Sequence, residues 1–172
     1  ERAAIWMREE QTRPTFCVVS LEPPHPPYAA FAPNGRKQDP ASLTLRANVP
    51  LGGKIEFTAR EELAGYYSHI ESTDRAVGRF LAELDLSNTT VVFTSVHGDM
   101  HGSHGVFRKG WPFEESVRIP LLIRRPNGQI EARGDLVSLI DLPQMALSWA
   151  KGQEWVGDAD HSIISMPTVV PI

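Results

Sequence analysis

Hydrophobic positions along the chain change period several times, and each change marks an element. Residues 15–21, Thr-Phe-Cys-Val-Val-Ser-Leu, are a short apolar, β-branched run closed by Glu22-Pro23-Pro24, the pattern of a buried strand that meets a turn. Thr58-Ala59-Arg60-Glu61 reads as a capping box. Leu63, Tyr66, Tyr67, Ile70, Val77, Leu81 and Leu84 then recur at helical spacing on one stripe. Residues 90–95 form a second strand-like run and 119–123 a third, with Pro120 placing the third at an edge or delaying its start. Asp141 caps a short helix with apolar Leu142, Met145, Ala146 and Trp149, and Gly152 stands where that helix should stop.

Between Phe31 and Gly53 the residues are Pro, Asn, Gly and charge without a period, which predicts a long surface excursion that faces a substrate. The segment 151–172 also lacks a period, so the expected organisation is a body over 1–150 and an irregular tail over 151–172. Strand, helix, strand predicts a right-handed crossover with its two strands parallel and their following loops at one sheet edge. That placement brings residues 23–28 near residues 96–105, at the strand ends where open α/β sheets bind ligands.

Composition narrows the partners. Lys and Arg number 17 against 21 Asp and Glu, a net charge of −4 that weighs against nucleic-acid binding. A hydrophobic fraction of 41% with 22% charged residues is globular, and no apolar run is long enough to span a membrane. Cys17 is the single cysteine, which excludes an intrachain disulfide and, inside a predicted buried strand, reads as a small core residue. The chain opens on Glu1 within a helical pattern, as a processed chain or a piece of a longer one would.

Candidate chemistry concentrates after the second strand, where His97, Asp99, His101 and His104 stand among Gly98, Gly102 and Gly105. Imidazoles bind metals or move protons near neutral pH, and Asp99 is placed to orient one ring. The same residues also suit a loop stapled by His to backbone hydrogen bonds, and both readings stay open. A transition-metal site of His97, His101 and His104 matches no standard zinc spacing and lacks the expected Glu. Lys109, between Arg108 and Gly110, is either a solvated charge or a point cation for an oxyanion. His25, among Pro23, Pro24, Pro26 and Pro27, is held on a stiff backbone at small entropy cost, which favours a functional role. Glu114 and Glu115 read as salt-bridge partners of Arg118 or Arg124.

Six collinear stretches resemble the sulfatase family of the alkaline-phosphatase superfamily. They are residues 16–28, 45–50, 66–78, 92–105, 109–122 and 137–143, including Pro23-Pro-His-Pro-Pro-Tyr28, Val96-His-Gly-Asp-Met-His-Gly-Ser-His-Gly105 and Lys109-Gly-Trp-Pro-Phe-Glu-Glu115. The resemblance implies an α/β alkaline-phosphatase-like sandwich, a mainly parallel central sheet flanked by helices, of which this chain is the C-terminal portion. It implies hydrolysis of a sulfate ester on a small molecule or glycan, in a periplasmic, secreted or lysosomal setting. By position, His25 and Lys109 become catalytic contacts to the sulfate oxygens, and His97 the second member of a metal-ligand pair. Asp99 and His104 fall on recurring motif positions as supporting residues. The implied cofactor is a divalent cation, calcium above all.

Two departures qualify this. Val96 stands where the family has its aspartate ligand, and a hydrocarbon gives a hard cation no oxygen. Neither the Cys/Ser-x-Pro/Ala-x-Arg motif that yields the formylglycine nucleophile nor the family's Asp-Asp pair occurs in the sequence. The expectation is therefore half of an active site, inactive alone. A catalytically degenerate binding protein and a phosphonate or phosphodiester hydrolase of the same superfamily are the alternatives.

Overall fold

In a computed structural model, residues 2–9, 13–28, 30, 32–126, 128, 134 and 136–155 are described. A short helix α1 (Arg2–Arg8) precedes an extended segment and a 3-10 turn at Pro40–Ser42. The long helix α2 (Lys54–Leu81) leads into β1 (Val91–Thr94). The one-turn helix α3 (Glu114–Val117), β2 (Leu121–Arg124) and, after a 3-10 turn at Leu139–Asp141, helix α4 (Leu142–Ala150) complete the order. Among the described residues no helix is long and apolar enough to cross a membrane.

Helix α2 starts four residues before the Thr58 capping box. Gly53 caps it with no side chain of its own, and the Glu56 carboxylate reaches back to accept the Gly52 N–H at 2.7 Å. That bond, aided by the Arg60 guanidinium, pulls the Glu56 carboxyl below its usual range. A first-turn carboxylate reaching back toward the start of the helix takes the role that the Glu61 side chain would have had in the expected capping box. The buried face also differs from the predicted stripe. Ala59, Ala64, Gly65 and Ser68 are buried, while Tyr67 and Ile70 are exposed. Small residues win this face because another backbone lies directly on it. A Cβ on Gly65 would sit well inside contact distance of the Tyr28 carbonyl oxygen, and one on Gly35 would strike Ser68. Much of the excursion over 31–53 is thus a strap on α2: Ala32 N–H donates to Ser68 Oγ at 3.1 Å and Ser72 Oγ to the Pro33 carbonyl at 2.8 Å.

The sheet corrects the predicted topology. Strands β1 and β2 pair antiparallel, in the register Val91 to Arg124 through Thr94 to Leu121. The parallel crossover required residues 15–21 as a partner strand, yet this segment is exposed and forms no strand among the described residues. A β-branched run sets local preference, but a strand exists only with a neighbour to complete its ladder. Cys17 is accordingly exposed, not a core residue. Strand β2 begins one residue after Pro120, whose missing N–H cannot serve a ladder.

Helix α4 ends before Gly152, at φ 71°, and Asp141 is its N-cap residue, both as predicted, but the Asp141 side chain serves the capping box of the preceding 3-10 turn. Asp141 acts as the acidic partner of a capping box with Ser138, accepting the Ser138 N–H at 2.8 Å. Most of the predicted tail over 151–172 lies outside the described residues. Buried apolar side chains gather around α2 and the loop after β1: Tyr28, Val49, Ala59, Ala64 and Met100, with Met145 buried on α4. Elsewhere Phe16 and Val18 are 75% and 74% exposed, and Leu122 and Ile140 also face solvent. Such apolar surface drives association. The purified chain is expected to self-associate in light scattering as concentration rises, and Phe16→Lys with Val18→Lys to reduce it; monodisperse wild-type chain at high concentration would contradict this.

Candidate functional site

The proline-rich turn, the loop after β1 and the Lys109 turn meet. Lys109 Nζ lies 3.1 Å from His25 Nε2, and the His25 and His97 rings stand edge to face with centroids 6.5 Å apart. Lys109 and His97 lie 84 and 72 positions after His25 in sequence, so both contacts are tertiary. Hydrogen bonds define the tautomers. His25 Nδ1 faces the Pro26 carbonyl at 2.9 Å, and a carbonyl only accepts, so Nδ1 carries the proton and Nε2 accepts from the Lys109 ammonium. His97 Nδ1 donates in the same way to the Gly98 carbonyl at 2.8 Å, which leaves its Nε2 lone pair unengaged. Both His25 and Lys109 are solvent-exposed, so an anion can reach the ammonium, which retains two further N–H donors.

Loop 96–110 is held in an unusual backbone path. His101, His104 and Arg108 all have left-handed φ, at 44°, 54° and 73°. Each such residue costs about 1–2 kcal/mol relative to right-handed backbone, and each has its N–H pinned. Asp99 Oδ1 accepts from His101 N at 3.0 Å and Arg108 N at 3.1 Å, and the Asn48 carbonyl accepts from His104 N at 3.0 Å. Asp99 therefore orients backbone, not the ring it was expected to orient; the nearest imidazole nitrogen, His101 Nδ1, is 3.9 Å away. Its second oxygen accepts from the Tyr28 hydroxyl at 2.9 Å. Burial and that carboxylate push the Tyr28 phenol far above its ordinary range, so it stays a donor. His104 is a staple: its ring stacks on Phe113 at 4.2 Å and meets Asn48 Nδ2 at 3.1 Å.

His101 packs against Tyr66 and Tyr28 at centroid distances of 4.5 and 5.2 Å, with both ring nitrogens lacking a hydrogen-bond partner. Burial lowers its pKa below 6.5, overcoming the opposing pull of Asp99. The unfolded chain therefore binds the proton more readily than the folded one. This contribution to stability is present above pH 6.5 and lost as pH falls from there through the lower folded value. His101→Phe should flatten that part of the profile, read from urea midpoints between about pH 5 and 8; an unchanged slope would refute it.

Several participants were not singled out from sequence. Arg108 grips Glu62 of α2 with two bonds of 2.6 and 2.8 Å, which raises its own pKa. Glu115 accepts from Asn48 Nδ2 at 2.7 Å and its carboxyl is thereby lowered, so it is not a partner of Arg118; Glu114 is, at 3.6 Å. Tyr28, Asn48 and Glu62 obey no period, and only the recurring stretches that contain Tyr28 and Asn48 hinted at them. Val96 is 80% exposed. Among the described residues no three His, Cys, Asp or Glu side chains gather closely enough to hold a metal ion.

The sulfatase family model matches residues 1–152. The chain belongs to the sulfatase family. It is 43% identical over 121 residues to the ulvan-active sulfatase of Formosa agariphila, an overlap of 66% of this chain and 23% of that one. It is 43% identical over 147 residues to an arylsulfatase of Clostridium perfringens, covering 73% of this chain and 31% of the relative. A solved structure from work on the metabolism of multiple glycosaminoglycans by Bacteroides thetaiotaomicron superposes with a TM-score of 0.63 and 31% identity, over 75% of this chain and 28% of that chain. The fold class is thus the alkaline-phosphatase-like fold of sulfatases. This sulfatase chain spans roughly a quarter to a third of the length of the curated relatives it matches.

Proposed function

We propose that this chain supplies the anion-gripping part of a sulfuric ester hydrolase, with Lys109 and His25 as the contacts to the sulfate oxygens. The observation that carries the reading is the 3.1 Å contact between Lys109 Nζ and His25 Nε2, across 84 positions of sequence, in a member of the sulfatase family. With one N–H given to His25 Nε2, the Lys109 ammonium keeps two donors for a tetrahedral dianion, and a protonated His25 would turn its own Nε2–H to the same anion; fixed positive charge there favours the charge that builds on departing oxygens during sulfuryl transfer. The substrate class is a sulfate ester on a glycan or other small molecule, supported by the ulvan-active relative.

A divalent cation does not fit the donor set these residues offer. His97 brings one unengaged nitrogen and Val96 a hydrocarbon, whereas calcium takes roughly six to eight oxygens. No step is therefore assigned to a metal on this chain, and the same deficit favours a second reading, a protein that binds sulfated ligands without hydrolysing them. The body over 1–150 acts in either reading as a portion of the catalytic domain.

Titration with inorganic sulfate, followed by calorimetry, tests the grip. Lys109→Ala should weaken binding about tenfold or more, since a hydrogen bond to a charged group is worth about 1.5–3 kcal/mol; equal affinity in the variant would remove the reading. No turnover of an aryl sulfate by the 172-residue chain is expected. Turnover abolished by Lys109→Ala would show instead that the chain is catalytically complete.

A further inference from the structure

We infer that Asp99 is a positioning residue: one buried carboxylate that sets where His25 and Lys109 stand relative to each other, through Tyr28 on one side and Arg108 on the other. The functional meaning rests on the anion-grip reading above, but the geometry stands without it. The Asp99 side chain is only 7% exposed. Oδ2 takes the Tyr28 hydroxyl at 2.9 Å, three residues beyond His25 on a backbone stiffened by Pro26 and Pro27. Oδ1 takes the Arg108 N–H at 3.1 Å, adjacent to Lys109, and the His101 N–H at 3.0 Å. Asp99 itself is two residues from His97. Each of the three converging segments is thus fixed to the same carboxylate within a few bonds of its reacting side chain.

Both arms also refer to one stretch of α2. The Tyr28 carbonyl lies against Gly65, and the Arg108 guanidinium is clamped on Glu62, three residues away on the same helix. Arg108 further lies over the Tyr28 ring, with Cζ 5.5 Å from its centroid. The hub therefore has a rigid floor. Arg108 and His101 are both left-handed, and their N–H groups share Asp99 Oδ1, so removing the carboxylate releases the turn that aims Lys109.

The test uses the full chain and two readouts: affinity for inorganic sulfate, and the ring 15N shift of His25 Nε2, which reports its contact with Lys109. Asp99→Ala should weaken sulfate binding about tenfold or more and move the His25 signal toward that of free imidazole, as removal of an orienting partner commonly costs about 10–100-fold. Tyr28→Phe, which cuts only the His25 arm, should move the same signal with a smaller loss of affinity. Asp99→Asn keeps Oδ1 for both backbone N–H groups and can donate to the Tyr28 oxygen, so it should restore the His25 signal. Met145→Ala, in a fully buried position on α4, controls for general destabilisation and should leave both readouts unchanged. Asp99→Ala behaving like Met145→Ala, lowering only the unfolding midpoint, would overturn the inference. Should Asp99→Ala not fold, an unshifted His25 signal in Tyr28→Phe overturns it and a shifted one supports it. Sulfate affinity that ignores Lys109→Ala would end the anion reading alone, and the His25 signal would still decide the hub.

Discussion

Gly65→Ala should destabilise the fold by about 3 kcal/mol or more, while Gly78→Ala, thirteen residues along the same helix, should stabilise it by about 0.5–1 kcal/mol. Both residues lie in α2, and alanine is the better helix former at each. What separates them is the neighbour. A Cβ on Gly78 meets nothing within 4 Å, whereas one on Gly65 would overlap the Tyr28 carbonyl oxygen. That oxygen cannot rotate away, because it is backbone and its residue is fixed through the phenol to Asp99. The Gly65 variant must push the proline-rich turn off the helix or bend the helix itself, and either disturbs His25. Urea unfolding of the two variants beside the wild-type chain reads the difference as opposite shifts in midpoint. Two variants shifting alike would mean that α2 and the Tyr28 segment are not in backbone contact.

Gly98→Ala is the second large effect, expected at about 2–3 kcal/mol with a change at His97. Here the obstructing atom is the Glu115 carbonyl oxygen, and the Gly98 N–H donates to the Ser116 carbonyl at 2.8 Å. A methyl group forces the loop after β1 away from α3, which breaks that bond. His97 must follow, since its Nδ1 proton is held by the Gly98 carbonyl. Loss of stability together with an altered ring 15N pattern for His97 is the expected result; a variant with wild-type stability and an unmoved ring would show that α3 yields freely.

The sequence exposed local elements more faithfully than their associations. Helix α4, the turn at Gly152 and the two strand-like runs at 90–95 and 119–123 appear within a residue or two of where apolar pattern and Pro120 placed them. Pairing was not legible, because a β-branched run at 15–21 states a preference and not a neighbour. The expected parallel partner of residues 90–95 forms no strand among the described residues, and β1 pairs instead with β2, antiparallel. On α2 the hydrophobic stripe marked half-buried positions such as Leu63, Tyr66, Val77 and Leu81 but missed the fully buried contact face. Where two backbones touch, glycine, alanine and serine occupy the contact, and hydrophobicity scales give such residues little weight.

The candidate site divides the same way. Proline-bound His25, Lys109 and the histidine-rich turn do come together. The two readings of the histidines separate residue by residue: His97 keeps an unengaged nitrogen, His104 is a staple, and His101 is buried against two phenol rings. Glu62 and Asn48 escaped notice because each acts through a partner more than forty positions away, Arg108 and Glu115 respectively, and no spacing rule links them.

Cys17, exposed and the only thiol in the sequence, gives the molecule a single address for covalent labelling. It lies eight residues before His25, on the segment that no strand pairs with among the described residues. A nitroxide attached there would report, through the width of its resonance, whether residues 15–21 tumble freely or become immobilised when a longer polypeptide or a sulfated ligand engages the chain.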